Sequence, residues 1–417
     1  MRKIEIDSAI HWLTPNEHVG TLGCEQLRGS ASYVWTYDLQ WLAQHRQIHL
    51  SADVRNVSGP QYCSQRVFSF LQDSLPDRWG RRLIDKRERL VAAREGRAVR
   101  RLQDIDYLCL LDDTTRMGAM RLREEDHYIG QNDEMPVPPI AHLREFTEMA
   151  QTYERQEESG GSLKEEWLMN LYRQGSSLGG ARPKANVRDT DGSLLIAKIP
   201  SVNDEYDVAL WEHFALCLAE QAGIEVAQTR LLCLEGQRHH TLLSHRFDRQ
   251  GEQRIHFASA MTITGLQDGA GADSGNGYLD IVDAIIGDNG FADVHEALCQ
   301  LYRRVAFYIA IGNHDDHFRN HGFLLTPKGW VWSPAYDLNP SLFTTQSLLI
   351  SPDSNDSSLE QLEAAAKYYL LTQAEAHQII AEVCAVVKNW RQTATRCGIS
   401  SQEQQRFAER LDRIHYA

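Results

Sequence analysis

Ile311-Gly-Asn-His-Asp-Asp-His-Phe-Arg-Asn-His-Gly-Phe-Leu-Leu325 (IGNHDDHFRNHGFLL) sets three histidines, two aspartates and two asparagines between apolar stretches. Upstream, HEALCQLYRRVAFYIAIG carries apolar residues at three and four residue spacing and predicts a helix. Downstream, HGFLL and GWVWS read as a pair of strands. So much polar chemistry between a helix and a hairpin points to a functional loop.

The chain has 417 residues, too many for one ordinary core, so two or three domains are expected. Hydrophobic residues make up 42% and charged residues 24%, the composition of a folded, water-soluble protein. The longest apolar runs fall short of a membrane span, and the basic start MRKIEID has no hydrophobic segment behind it, so no membrane role and a cytoplasmic location are expected. Eight cysteines are scattered singly, with no close pair to ligate zinc, and read as free thiols. A formal net charge of −14 argues against this chain holding DNA by itself, because such affinity needs Lys and Arg on the phosphates. The one basic cluster, Arg78 to Arg101, has helical spacing and interleaved acids and reads as a solvated helix face.

Residues 1–125 read as a β-rich subdomain. HVGTL and ASYVWTYDLQWL favour strands, the latter through Val34, Trp35, Tyr37, Leu39 and Trp41. VFSFLQDSLPDRWGRRLIDKR reads as a helix broken at Pro76, and DIDYLCLLDDTTRMGAMRL as a helix, a turn at Gly118 and a strand. Residues 126–250 form a small mixed lobe: an acidic connection with one helix, a Gly/Ser-rich turn (QGSSLGGARPKANV), a strand (SLLIAKIPS), a helix from Asp207 to Ala222 ended by Gly223, and a hairpin (TRLLCLEGQRHHTLLSHRFDR). Residues 251–417 are mainly helical.

Two chemistries fit the opening stretch. Gly312-Asn313-His314-Asp315 looks like the metal signature of a metallophosphoesterase, which needs two metals held by histidines and carboxylates from several strand ends. The one DxH available is Asp293-Val294-His295, and no GDxxD lies between it and Gly312. Phosphoryl transfer from a nucleotide instead needs a base for the incoming hydroxyl, oxygen ligands for Mg²⁺ and a cation on the phosphates. A protein-kinase catalytic loop sets its Asp and Asn five apart, as Asp315 and Asn320 are; Ala335-Tyr336-Asp337-Leu338-Asn339-Pro340 follows the strand pair, where a second metal-binding Asp belongs.

The upstream half supplies matching candidates. Lys198 closes an apolar strand, Ile196-Ala197-Lys198, as a phosphate-gripping lysine would. Glu212 shares its helix face with Val208, Trp211, Ala215 and Leu218, so its carboxylate points inward and calls for a cation. Lys198 and Glu212 could equally be a plain structural ion pair. GSSLGGARPK, Gly175 to Lys184, is neither a Walker A loop nor GxGxxG; its glycines can offer backbone N–H groups to phosphate, or it is a tight turn.

Taken together, Ser177-Leu-Gly-Gly-Ala-Arg-Pro-Lys184, the Ile-Ala-Lys198 strand, Arg246-Phe-Asp-Arg249, Gly312-Asn-His-Asp-Asp-His-Phe-Arg-Asn320 and Ala-Tyr-Asp337-Leu-Asn-Pro340 resemble the HipA family of bacterial serine/threonine kinases, the toxin halves of HipBA-type toxin–antitoxin pairs. HVGTL, SFLQDSLPDRWGRR, LLDDTTRMGAM and VVKNW extend the resemblance towards both ends. It implies an α+β, bilobed protein-kinase-like fold with an N-terminal β-rich subdomain and a helical C-terminal lobe. It implies ATP and Mg²⁺, with Asp315 as general base, Asn320 and Asp337 on the metal, His317 ordering the loop and the γ-phosphate, and Lys198 on the phosphates opposite Glu212. The backbone of Gly179, Gly180, Ala181, Arg182, Pro183 and Lys184 would cover the phosphates; His245, Arg246 and Phe247 would meet adenine, with Asp248 near the ribose and Tyr336 beside the nucleotide. Ser177, or Ser176 beside it, matches the serine whose autophosphorylation switches the kinase off, since a dianion there repels ATP. Implied partners are a serine-bearing protein substrate, such as an aminoacyl-tRNA synthetase, and a HipB-like helix-turn-helix antitoxin through which alone DNA is met. Asn313-His314 stands where Asn-Thr is common, Arg319 where Lys is frequent, and His245 where an acid is frequent. A nucleotide-binding module without turnover would lack the Asp or the Lys; both are present.

Overall fold

The computed structural model describes residues 1–27, 30–64, 66–131, 137–159, 165–175, 182–287 and 289–413. The chain forms two compact units: Met1–Asp207 with Thr229–Phe257, and Val208–Gln228 with Ala258–Ala417.

The first unit is built on two antiparallel sheets. The larger runs, edge to edge, through Gln61–Ser64, Ser30–Tyr37, Glu17–Leu27, Arg2–Ser8, Met120–Glu124 and His127–Tyr128. Alternation sends Ala31, Tyr33, Trp35 and Tyr37 into the core. Gly20 is required where two strands close up, because a Cβ there would lie 2.4 Å from the Thr36 carbonyl. The strand stops at Tyr37, earlier than the aromatic pattern predicts: the Asp38 carboxylate accepts the Gln40 and Trp41 N–H groups and starts helix Leu39–Gln44, so Leu39 and Trp41 are helical. The break predicted at Pro76 separates helices Ser69–Gln72 and Arg78–Glu95. The second helix carries the basic cluster outward and buries Trp79, Leu83 and Glu88, the last held by Arg97 and Arg100.

The smaller sheet runs Lys184–Arg188, Leu194–Lys198, Thr241–His245, Thr229–Leu232. The expected division between residues 125 and 126 is not a boundary between compact units. Trp79 and Leu83 share one core with Leu143, Phe146 and Tyr153 and with Ala185, Leu195, Ala197 and Leu243 of the smaller sheet, and Trp79 meets Tyr153 edge to face at 5.4 Å.

The second unit is mainly helical. Helix Val208–Gln221, placed by sequence in the middle lobe, belongs here because of its aromatic face: Trp211 packs on Phe407 at 4.7 Å, and Phe214 faces Trp390 at 6.2 Å. Helix Val294–Ile311 is buried continuously from Arg304 to Ile311 and forms the unit's axis. It delivers the chain to the polar loop, after which strands Gly322–Thr326 and Gly329–Trp332 pair as the predicted hairpin, Phe323 opposite Trp332.

Candidate functional site

The loop begins where the axial helix ends at Gly312, in the left-handed conformation (φ 70°) that glycine adopts without strain; a Cβ there would lie 2.4 Å from the Ser341 carbonyl. Asn313 is buried, and its Oδ1 accepts the Asn339 N–H at 2.9 Å. His314 donates from Nδ1 to the Thr345 carbonyl at 2.6 Å, stacks on Phe343 at 4.3 Å, and its carbonyl accepts from the Ser347 hydroxyl at 2.7 Å. The Asn313-His314 pair therefore ties the loop to segment 339–347, a role that sequence did not assign.

The two adjacent aspartates then diverge. Asp315 is exposed, while its carbonyl accepts the Asn320 side-chain N–H at 2.9 Å. Asp316 is fully buried, accepting from the Tyr278 hydroxyl at 2.5 Å and bonding His321 Nε2 at 3.0 Å. Burial and the Asp316 charge push the Tyr278 phenol well above its usual range, so it stays a donor. This anchor was missed; its trace in the sequence is a second five-residue interval, Asp316 to His321, one step behind Asp315 to Asn320. His317 is half-buried, and its carbonyl accepts the Asn320 N–H at 2.8 Å to close the short 3₁₀ turn Phe318–Asn320.

Asp337 is brought to this loop by its neighbours. Ala335 exchanges backbone bonds with Glu225 (2.7 Å) and Ala227 (2.9 Å) beyond helix Val208–Gln221. The Tyr336 hydroxyl donates to the Arg319 carbonyl at 2.6 Å, and Asn339 is held by Asn313. The residues flanking Asp337 are thus fastened to residues flanking Asp315 and Asn320. Tyr336 commits its hydroxyl to this latch. Asp337 sits at φ 61°, a left-handed conformation costly for a non-glycine residue and concentrated at functional sites.

The donor set fits Mg²⁺. With its amide nitrogen spent on the Asp315 carbonyl, the Asn320 oxygen could serve as a ligand atom beside the Asp337 carboxylate, and such hard oxygen donors suit that ion. The metallophosphoesterase alternative does not survive the geometry. Asp293 caps the far end of the 18-residue axial helix, and His295 pairs there with Glu375. At 1.5 Å per residue that is about 27 Å from Gly312. His314 is moreover held by a carbonyl and a stacked ring.

The remaining candidates lie in the first unit, except Glu212, which is buried on helix Val208–Gln221 of the second. Lys198 ends its strand in register with Lys184 on one side and Leu242 on the other. The Pro183 carbonyl accepts the Ile199 N–H at 3.0 Å, and Arg182 is gripped by Asp204 at 2.7 and 2.8 Å. Ser176, Ser177, Gly179, Gly180 and Ala181 lie outside the described residues. His245 closes strand Thr241–His245, and the Arg246 N–H is spent on the Leu194 carbonyl at 3.0 Å. Phe247 is half-buried, its ring 5.8 Å from Phe257.

Asp248, expected near the ribose, is the centre of a buried ion-pair network. It is 1% exposed, with Oδ1 accepting from Arg246 Nε (2.7 Å) and Oδ2 from Arg246 Nη2 (2.6 Å), Arg249 (2.6 Å) and the Gly118 N–H (2.9 Å). Burial alone would raise its pKa, but the two guanidinium charges hold it well below the usual carboxylate range, while burial brings Arg249 down to about 9. Arg246 also reaches the Thr115 carbonyl and Asn186. This buried network fastens the Thr115–Gly118 turn to the smaller sheet.

Residues 176–390 match the family described as HipA-like C-terminal domain, and residues 12–109 match the HipA N-terminal domain. The chain belongs to the HipA family. Among solved structures it is similar to HipA of Shewanella oneidensis MR-1, solved with HipB and its operator DNA, at 16% identity and a TM-score of 0.66 over 98% of this chain and 95% of that one. That likeness shows the fold. The Helicobacter pylori proinflammatory kinase CtkA overlaps 56% of this chain and 92% of its own at 13% identity and a TM-score of 0.39, too loosely to carry an argument. No curated protein matches. HipA-type topology accounts for the order of a β-rich N-terminal part, a smaller sheet and a helical unit bearing the polar loop. Among the described residues, no helix is long and apolar enough to cross a membrane.

Proposed function

We propose that this HipA-family chain is an ATP- and Mg²⁺-dependent serine/threonine protein kinase. The observation that carries the reading is the fastening of the Asp337 segment to the Asp315–Asn320 loop through Tyr336–Arg319 and Asn339–Asn313. That is the set a phosphoryl transfer needs: a base, an amide oxygen and a carboxylate.

In this mechanism Asp315, exposed while its own backbone is held by Asn320, accepts the proton of the incoming serine hydroxyl. Asn320 and Asp337 would hold Mg²⁺, which when bound would supply charge neutralisation to the phosphates. By the resemblance, Lys198 and the backbone of residues 179–184 would bind the phosphates, Glu212 would be the partner of Lys198, and His317 would order the loop. His245 to Phe247 face the adenine. Buried Asp316, bonded to Tyr278 and His321, anchors the loop at the residue next to exposed Asp315.

The protein target implied by the resemblance is translation-related, such as an aminoacyl-tRNA synthetase, and Ser177 or Ser176 is the autophosphorylation site. A HipB-like antitoxin is the proposed partner, with DNA met only through it, in keeping with the net charge of −14. A cytoplasmic site of action fits both.

Incubation with Mg²⁺ and γ-labelled ATP, followed by mapping of the label, tests this. Label on Ser177 or Ser176 that vanishes in Asp315→Asn supports a kinase. Nucleotide binding with no transfer to any protein would make the chain a binding module and overturn the proposal.

A further inference from the structure

Apart from the polar loop, one cluster in the second unit has unassigned chemistry. His213 and Cys217 lie one turn apart on helix Val208–Gln221, hence on one face, and Cys397 ends helix Trp390–Arg396 opposite them. The His213 Nε2, Cys217 Sγ and Cys397 Sγ atoms all lie within 4.8 Å of one another. His213 Nε2 and Cys217 Sγ are 3.7 Å apart. A tetrahedral zinc with Zn–S near 2.3 Å and Zn–N near 2.0–2.1 Å sets its sulfur and nitrogen ligands about 3.6 Å apart and two sulfurs about 3.8 Å apart. The His213–Cys217 pair already stands at that spacing, and the Cys397 sulfur lies within 4.8 Å of both ligand atoms.

We infer that His213, Cys217 and Cys397 form a three-ligand site for a zinc-class divalent cation, with water completing the tetrahedron. Three features of the surroundings support it. The helices bearing the ligands are fixed by packing, Trp211 and Phe214 against Trp390 at 6.5 and 6.2 Å. Gln221 bonds both the Cys217 carbonyl (2.8 Å) and the Thr393 hydroxyl (3.0 Å), which bridges the helices next to the sulfurs. All three ligands are half-buried, so the site is within reach of an ion from solvent.

The same helical spacing occurs once more, at His295 and Cys299, also 3.7 Å apart. There His295 pairs with Glu375, and no second thiol joins. That pair is an internal control for what a His-Cys turn does without Cys397. The ion would clip helix Val208–Gln221 to the end of the Trp390 helix, one residue from buried Glu212, whatever reaction the chain carries out.

The full chain, reduced, stripped with EDTA and desalted, is titrated with Co²⁺ and with Zn²⁺ against a chromophoric chelator. One equivalent of Zn²⁺ should bind. Co²⁺ should give thiolate charge-transfer bands and the intense visible bands of a tetrahedral ion. Cys217→Ser, Cys397→Ser and His213→Gln should each weaken Zn²⁺ binding at least tenfold, and Cys299→Ser should leave it unchanged. Metal-free melting temperatures equal to that of the unaltered chain would establish that the variants fold. As a readout needing no variant, Zn²⁺ should slow alkylation of Cys217 and Cys397, mapped by mass spectrometry, but not of exposed Cys233. Absence of the thiolate bands, bands that persist in the Cys217→Ser/Cys397→Ser double variant, or no protection of the two thiols would each overturn the site.

Discussion

Replacing Asp248 with alanine separates two roles for one carboxylate. In the structure it is the shared acceptor for Arg246 and Arg249 and for the Gly118 N–H, at 1% exposure. Its removal leaves two guanidinium groups sunk in the first unit, satisfied only in part by the Thr115, Arg116 and Gly118 carbonyls. Breaking a buried pair by deleting one partner costs about 3–5 kcal/mol. For a domain of roughly 150–250 residues each kcal/mol moves Tm by about 2–4 °C, so a fall of about 6–20 °C is expected. Asp248→Asn, which keeps the shape but turns an N–H₂ towards a guanidinium, should fall in the lower part of that range. The assays are urea denaturation and thermal melting without nucleotide, beside a measurement of ATP affinity. Unchanged stability together with lost ATP affinity would refute the structural assignment and return Asp248 to the ribose.

Tyr278→Phe removes a bond to the charged, buried Asp316 and should cost about 1.5–3 kcal/mol in urea denaturation; a loss under 0.5 kcal/mol would mean the anchor is not under tension from its charge. Asp337→Asn, which tolerates the left-handed backbone, should leave the melting temperature within a few degrees and abolish Mg²⁺-dependent ATP binding by calorimetry. Burial lowers the His256 imidazole from 6.5 to about 4, so its contribution is complete above pH 6.5 and is lost as pH falls towards 4, by about 1.4 kcal/mol per pH unit. Denaturation of the unaltered chain and of His256→Gln at several pH values should differ by that slope, and parallel curves would count against it. Trp390→Ala, emptying the aromatic face that holds helix Val208–Gln221, should cost about 3–5 kcal/mol, read as a lower unfolding midpoint of the second unit.

Much of this protein is local and so can be read along the chain. Apolar spacing marks the axial helix, Pro76 the break between helices Ser69–Gln72 and Arg78–Glu95, and the run from Gly312 to Asn320 the polar loop with the hairpin behind it, because each is set by neighbours within a few residues. Capping already escapes such a pattern: Asp38 converts Leu39 and Trp41 from apparent strand to helix with one carboxylate. Long-range choices escape it altogether. Which of two adjacent aspartates turns inward depended on Tyr278, some forty residues earlier, and the pinning of Asp337 depended on Asn313 and Arg319 meeting Asn339 and Tyr336. That Asp248 is the shared partner of Arg246 and Arg249 shows only once the fold buries all three together. Cysteines 217 and 397, far apart in sequence and read singly as free thiols, become neighbours of His213 only because Trp211, Phe214 and Trp390 pack one helix on another. Local backbone and side-chain preferences determined the elements; desolvation of charge and the packing of aromatic faces decided which distant groups meet.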